Sequence, residues 1–309
     1  MYKQSGMLFF YTETPLHAGS GASVSHIDLP IQREKHTGHP IVQGSGVKGA
    51  FRDWAKRFST QPDKIEYVFG PEPTDSSSSE FGGSLSFTDA QLLFFPIRSF
   101  AGGFAWVTCP IILNRLARRL EMANFSSLPS VDVPDDSVLV SDSSELIAHN
   151  NQVILEDFSF KNISQKQNEK ITTIAHWITQ NAIPSIGAFK YISDHFNKRM
   201  AILSDNVFKD FVSLSTEVVT RIRIGENGVV QKGALWSQEL LPADCIMYSL
   251  AIAKDITYTI QKDRQKFSSN ESISFLRELV YNSDTGILQM GGDETVGRGI
   301  VRIRFIEKP

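Results

Sequence analysis

The chain has 309 residues, of which 41% are hydrophobic and 21% charged, with a formal net charge of −3. That length suits one elaborate α/β or α+β domain or two average ones, and the near-neutral balance excludes a surface coated throughout for nucleic acid, so any RNA or DNA contact must be local. Cys109 and Cys245 sit in apolar runs without metal-site spacing and read as small buried thiols; no apolar run approaches the roughly 20 residues of a membrane span, and no basic region leads into an apolar stretch at the N-terminus, so a cytoplasmic location without membrane contact is expected.

From the N-terminus, "GMLFFYTETPLHAG" is aromatic, partly alternating and ended by Pro15 and glycines, the pattern of a strand that delivers His17 to the mouth of a loop. The loop, about residues 18–45, is long for an unstructured connection in a compact domain, and such loops are commonly functional or disordered. Ser45 is placed to cap the next helix, where Val47, Ala50, Phe51, Trp54, Ala55 and Phe58 recur at helical spacing and Lys48, Arg52, Lys56 and Arg57 take the other face. "PEPTDSSSSEFGG" is a polar loop with no evident chemistry. "GSLSFTDAQLLFF" alternates as a strand, and "FAWVTCPIILNRLARRLEMA" predicts a short strand breaking at Pro110 into an amphipathic helix.

Residues 131–160 carry seven carboxylates and no lysine or arginine, which makes them either a solvated insertion or a surface that docks something basic. Helices are predicted at "QNEKITTIAHWITQNAI" and "SDNVFKDFVSLS", and two alternating runs around "GENG" in "TEVVTRIRIGENGVVQKGALWSQELLP" predict a hairpin. A buried strand, "DCIMYSLAIAK", a capped helix, "NESISFLRELVYNSD", and a strand, glycine loop and final strand, "GILQMGGDETVGRGIVRIRF", complete the order. Strands and helices alternate unevenly and without repeats, which fits an α+β sheet covered by helices; the two ends suit a ferredoxin-like core split by inserts.

Three basic elements are candidates for RNA. In "GGDETVGRG", Gly291, Gly292 and Gly297 allow positive φ and close approach of backbone N–H groups to a phosphate, with a tight turn between strands as the alternative. A strand follows rather than a helix, so this is neither a dinucleotide fingerprint nor a P-loop. Arg298, Arg302 and Arg304 are evenly spaced for one strand face. At the first helix start, Lys48 and Arg52 add to the partial positive charge of the helix N-terminus, and the two elements together suggest a groove for backbone phosphates. Arg221 and Arg223 share one face of the hairpin, able to press on a nucleic-acid strand or simply to face water.

In the loop, Asp28 stands alone between Ile27 and Leu29-Pro30. A single carboxylate there can orient or deprotonate a ribose 2′-hydroxyl, or bind hydrated Mg²⁺ beside a phosphate. His17, His26, His36 and His39 are acid or base candidates, without the spacing of a zinc site.

"PLHAGSG", "IDLPIQREKHTGHPIVQGSGVKGAFRD", "TRIRIGENGVVQKGALWSQELLP" and "GGDETVGRG", in this order across nearly the whole chain, resemble the backbone subunit of type III-B (Cmr) CRISPR effector complexes, a branch of the RAMP superfamily. The resemblance implies one domain over residues 1–309: an α+β fold whose modified ferredoxin-like (RRM-like) palm is built from both ends, with an active-site loop at about 18–45, a finger insertion at about 110–200 and a thumb β-hairpin at about 215–243. It further implies subunits that polymerise head to tail along a guide RNA, together with other Cmr subunits. Each thumb interrupts guide-target pairing, and target RNA is cut at each interruption by a loop aspartate, in a divalent-metal-dependent reaction leaving a cyclic phosphate and a 5′-hydroxyl.

Asp28 matches that aspartate and is the expected metal contact, with Mg²⁺ the first choice. His17 and Glu239 are implied for positioning, proton transfer or metal-bound water. Lys48, Arg52, Gly291, Gly292, Gly297 and Arg298 are implied for the guide, and Arg221 and Arg223 for the thumb. "WSQE" holds no tyrosine, so no aromatic hydroxyl role is assigned there. The alternatives are the same filament without cutting activity, and a free-standing enzyme using "GGDETVGRG" on mononucleotide phosphates.

Overall fold

The first apolar run forms β1 (Gln4–Thr12), in which every residue from Met7 to Thr12 is buried. A strand buried on both faces needs cover on each side and partners on each edge. The computed structural model, which describes residues 3–23, 26–72, 82–260, 263–282 and 286–308, supplies both.

In chain order there follow β2 (Ile41–Val42), α1 (Gly44–Phe58), α2 (Ile65–Phe69), β3 (Leu85–Phe87), β4 (Ala90–Arg98), β5 (Phe104–Thr108), α3 (Pro110–Met122), β6 (Ser137–Val140), β7 (Gln152–Leu155) and β8 (Phe158–Asn162). Then come α4 (Asn168–Asn181), α5 (Lys190–Arg199), β9 (Met200–Ile202), α6 (Asp205–Leu214), β10 (Glu217–Ile224) and β11 (Val230–Leu240). The chain closes with β12 (Ile246–Ala253), β13 (Ile256–Ile260), β14 (Asp263–Phe267), α7 (Ser269–Asn282), β15 (Ile287–Gln289) and β16 (Ile300–Glu307).

A large mixed sheet runs β15-β16-β1-β12-β4-β5-β9-β6-β8-β7, with β2 added to β4 and β3 to β12. β1 pairs antiparallel with β12 and β16, whereas β5 with β9 and β6 with β8 are parallel. Alternate residues of β1 meet different cover. Phe10 packs edge-on to Phe51 of α1, while Phe9 meets Trp177 of α4 and Tyr11 meets Phe189. Both cysteines are buried free thiols, as their apolar settings require. No helix among the described residues is long and apolar enough to cross a membrane.

Several local expectations change. The α1 N-terminus is capped by Asp89, whose carboxylate accepts from the Gly44 N–H at 2.7 Å, while Ser45 lies inside the helix. Phe58, counted on the apolar face of α1, is 62% exposed. "GSLSFTDAQLLFF" breaks at Thr88-Asp89 into β3 and β4, which pair one after the other along the same edge of β12. Most of the serine-rich segment, residues 73–81, lies outside the described residues.

The acidic stretch builds β6, β7 and β8 at one end of the sheet, and much of its charge is paired within the chain. Glu145 meets Lys198 and Arg199, Glu156 meets Arg98, and Asp135 accepts from Asn206.

Arg302 and Arg304 do share a face of β16, between the buried Val301, Ile303 and Phe305. Both are engaged by protein: Arg302 donates to Glu13 at 2.8 Å, and Arg304 donates to the carbonyls of Ile183 and Gln180, where the end of α4 leaves acceptors unfilled. Arg304 therefore anchors the sheet to its cover, while Arg302 ties β16 to the end of β1.

Phe10 lies at the seam between sheet and α1 with no exposure. Phe10→Ala should lower unfolding free energy by about 3–5 kcal/mol, seen as a fall in the urea midpoint; an unchanged midpoint would show that this seam is not core.

Candidate active site

The long loop is pinned to the rest of the chain. Isolated bridges join Leu16 to Leu241, Gly19 to Ile31, Leu29 to Gln238 and Arg33 to Pro40. The loop doubles back on itself, with Ser20 N donating to Pro30 O at 3.0 Å and Gln32 N to Ala18 O at 2.7 Å. It then runs beside β11, with Leu29 N donating to Ser237 O at 3.1 Å and Glu239 N to Leu29 O at 3.0 Å.

Glu239 fastens this arrangement. Only 3% exposed, it accepts on Oε1 from Arg33 at 2.5 Å and from Thr216 Oγ1 at 2.8 Å, and on Oε2 from Ile31 N at 3.0 Å. Arg33 also donates to the carbonyls of Gly38 and Val212. A buried carboxylate is tolerable when it is paired and hydrogen-bonded, and this one is both. Both oxygens are taken up by protein groups, so Glu239 positions the loop and is ill placed for the proton transfer the sequence left open to it.

Asp28 lies on the pinned segment with its side chain exposed. Its Oδ2 accepts from the Ser237 N–H at 2.7 Å and from Ser237 Oγ at 2.8 Å, while the Asp28 N–H donates to the same hydroxyl at 3.0 Å. The backbone and side-chain bonds from Ser237 favour the charged form and hold the carboxyl below its usual range. Among the described residues Oδ1 has no partner. Asp28 is therefore an ionised, aimed carboxylate with one oxygen available.

His17 bonds to the same edge of the same strand, β11. Its Nδ1 is 2.8 Å from the Glu239 carbonyl, an acceptor, so Nδ1 carries the proton and Nε2 is left as the open ring nitrogen. The backbone carbonyl of His17 accepts from Gly292 N at 2.9 Å, and Gly291, at φ +80°, approaches so closely that a Cβ would stand 2.5 Å from that carbonyl. Only glycine fits at 291.

The glycine loop also grips the hairpin β10-β11. Asp293 accepts from Arg221 at 2.8 Å and from Gln238 at 2.6 Å, and Arg221 donates to the Gln238 side-chain oxygen at 2.8 Å. Partial burial works to raise the Asp293 pKa, but the bonds from Arg221 and Gln238 outweigh it and the carboxyl sits below its usual value. Arg221, expected to face RNA, is thus largely committed to the glycine loop. Arg223, two residues on, is exposed and has no side-chain partner among the described residues.

The first helix and the glycine loop meet at the last turn of α1, where Arg57 pairs with Glu294 at 3.1 Å, whereas the sequence singled out the helix start at Lys48 and Arg52. Lys48 is half-buried, and desolvation, then Arg52 and Lys254, lower its pKa. Arg52 departs from expectation. Its guanidinium donates to the carbonyls of Phe69 at 2.5 Å and Gly70 at 2.7 Å, closing the end of α2. Gly297 (φ +76°) and the half-exposed Arg298 lie on the open side of the glycine loop.

The other loop histidines separate by environment. His39 is 4% exposed and edge-on to Phe208, and burial pushes it down to about 4, so it is neutral near pH 7. His36 lies beside Arg115 and Glu34, and His26 is exposed. No three His, Cys, Asp or Glu side chains cluster as metal ligands among the described residues. Mg²⁺ commonly takes one or two carboxylates and completes its shell with water and substrate phosphates, and the free Oδ1 of Asp28 fits that mode of binding.

Over residues 9–302 the sequence matches the RAMP superfamily, and the chain belongs to it. Within that superfamily it belongs with the backbone subunits of type III-B (Cmr) complexes. It is 37% identical to the CRISPR system Cmr endoribonuclease Cmr4 of Pyrococcus furiosus, over 96% of this chain and 94% of that protein. It is 28% identical to the CRISPR system CMR subunit Cmr4 of Saccharolobus solfataricus, over 96% and 95%. Its structure is similar to that of oligomeric Cmr4 from Pyrococcus furiosus, with a TM-score of 0.71, 30% identity and 99% of each chain covered. The fold also recurs in the type III-B Cmr-beta complex bound to cognate target RNA, with a TM-score of 0.71 at 23% identity over 98% of each chain.

Two substitutions test this geometry. Ser237→Ala should move the Asp28 carboxyl up toward the ordinary aspartate value in an NMR titration. In the native chain the depressed value makes Asp28 favour the fold at neutral pH and lose that contribution only as pH falls through it; an unmoved titration would mean that the Ser237 hydroxyl contributes nothing and the backbone N–H alone sets it. Glu239→Gln should destabilise by somewhat less than the ~3–5 kcal/mol typical of breaking a buried pair, because Arg33 keeps its carbonyl partners, and should speed hydrogen exchange at Leu29 and Ile31. Unchanged exchange there would show that Glu239 does not fasten the loop.

Proposed function

We propose that this chain is the backbone subunit of an RNA-guided CRISPR ribonucleoprotein, binding guide RNA along a filament of head-to-tail copies and cleaving complementary target RNA at regular intervals. The observation that carries the catalytic part is the exposed Asp28 carboxylate, held ionised by Ser237 on a loop locked to β11, with His17 bonded through Nδ1 to the Glu239 carbonyl of that strand and its Nε2 left open. RNA brings its own nucleophile, the 2′-hydroxyl. The protein's task is to set that oxygen in line with the scissile phosphate and to manage charge and protons.

In this reading Asp28 orients the 2′-hydroxyl or takes its proton, and His17 Nε2 is the second group that can accept or return one. Asp28 and the RNA phosphates would hold a divalent metal, Mg²⁺ for choice, which when bound offsets phosphate charge. Glu239 acts through Leu29, Ile31 and Arg33 by keeping the loop in register.

The strand order β16-β1-β12-β4, with α1 and α7 on the crossovers, supports a ferredoxin-like palm assembled from both ends of the chain. The segment between β4 and β12 then holds the finger, at about 110–200, and the hairpin β10-β11 is the thumb, within about 215–243. The exposed Ile222, Ile224, Val229 and Val230 of its outer half, beside Arg223, suit insertion against unstacked bases. A duplex resists in-line geometry, whereas a displaced nucleotide can adopt it.

The guide is held by phosphates and shape, since one scaffold must serve many sequences. Lys48, Gly291 and Arg298 are the groups for it; the N–H groups of Gly292 and Gly297, expected to meet phosphate, are taken by the carbonyls of His17 and Glu294, so these glycines shape the loop, as Arg52 shapes the end of α2. Other Cmr subunits complete the complex, in the cytoplasm.

In a complex assembled on a guide, Asp28→Asn should leave target binding intact and slow cleavage by about 10²–10⁴-fold, the usual share of a proton-handling group. Undiminished cleavage would remove Asp28 from the mechanism.

A further inference from the structure

A hollow of about 320 Å³ lies where α3 crosses the loop, lined by Glu34, His36, Gln91, Arg115, Arg118 and Arg119. Arginines at i, i+3 and i+4 fall on one face of a helix, and like charges so placed repel unless something offsets them. The single carboxylate present is already occupied. Glu34 accepts from Thr37 at 2.6 Å, Gln91 at 2.8 Å and Arg115 at 2.7 Å, and it is 9% exposed. Arg115 is fixed by that pair and by a contact of 2.9 Å with His36 Nε2. Arg119 has only the Met122 sulfur at 3.4 Å, and Arg118 is exposed with no side-chain partner among the described residues. A chain with net charge −3 thus gathers three guanidinium groups around one carboxylate that the loop already uses.

The hollow lies further along the active-site loop from a second one. Gln32 and Arg33, of the same loop, line a second hollow of about 220 Å³ with Gly19, Ser20 and Gln43, next to the His17 end of β1. From Gln32 to His36 is four residues, at most about 14 Å of extended chain. An extended strand lying over Gly19 and Ser20 therefore reaches the arginines. Guanidinium groups match phosphate oxygens with paired N–H donors better than any other side chain.

We propose that Arg118 and Arg119, with Arg115 fixed behind them, bind a backbone phosphate of an RNA strand that runs past the active-site loop. The proposal rests on the RNA-binding function above and adds α3 to its contact surface.

The test uses complexes assembled on a guide, carrying Arg118→Gln or Arg118→Gln with Arg119→Gln; Arg115 is left in place because it holds Glu34. Guide binding, and target binding by the guide-loaded complex, are measured against salt concentration. Loss of one phosphate contact should reduce the slope of log affinity against log salt by about 0.7, and loss of two by about 1.4. The arm that shows the drop, guide or target, identifies the strand.

Lys48→Gln is the comparison. If it weakens RNA binding while the arginine variants keep both slopes, α3 holds no phosphate and the proposed function stands. If the native complex itself binds neither guide nor target, the RNA-binding function fails with it. Arginine variants that keep both slopes but dissociate the complex in sedimentation, with unchanged circular dichroism, would show an acidic protein segment in the hollow and overturn the proposal.

Discussion

Everything at the candidate site hangs on the buried pair between Glu239 and Arg33. Glu239 belongs to β11, the inner strand of the hairpin, and Arg33 to the loop that follows β1. Their attraction, together with the Ile31 and Thr216 bonds, makes one rigid unit of two segments more than 200 residues apart in sequence. Removing a charge from water is costly, and here the cost is offset by a complete set of partners. The outcome is positional: the residue before Leu29 can only be presented in one way, and that residue is Asp28.

A second constraint acts from the other side. The glycine loop packs against the His17 carbonyl, and Asp293 in it holds Arg221 and Gln238 at the base of the hairpin. His17, Asp28 and the hairpin are thereby referred to one frame made by β1, β11 and residues 291–293. A site that must hold a flexible polymer in one geometry needs such cross-bracing, because a loop anchored only at its ends would not keep a carboxylate within the tolerance that proximity effects demand.

The main strands and helices, and Asp28 itself, could be read from the sequence because their signals are local. β1 and β12 are apolar runs, α1 and α3 have helical periodicity, "GENG" marks a hairpin, and a carboxylate framed by Ile27, Leu29 and Pro30 stands out. What escaped reading depends on distant partners. Ser237 meets Asp28 across 209 positions, and nothing in "LWSQELLP" marks its serine. Arg52, Arg221, Arg302 and Arg304 look alike as basic residues on regular faces, yet three-dimensional neighbours assign them to a helix end, a glycine loop, Glu13 and the end of α4. Glu239 was visible as an acid, but its burial, which changes its role, was not. Short β-like runs between turn residues could be seen in 131–160, where β6, β7 and the start of β8 form, but β9 and the hairpin β13-β14 carry too few residues each for periodicity to register.

The division of labour between a rigid carboxylate and a projecting hairpin has a direct consequence for the product. If each copy in a filament carries one such unit, cleavage must repeat with the spacing of the copies. Mapping the 5′ ends of guide-complementary RNA after incubation with the assembled complex measures this. Evenly spaced cuts bearing 5′-hydroxyl ends are predicted; cuts at irregular positions, or fully intact target bound to the complex, would contradict it.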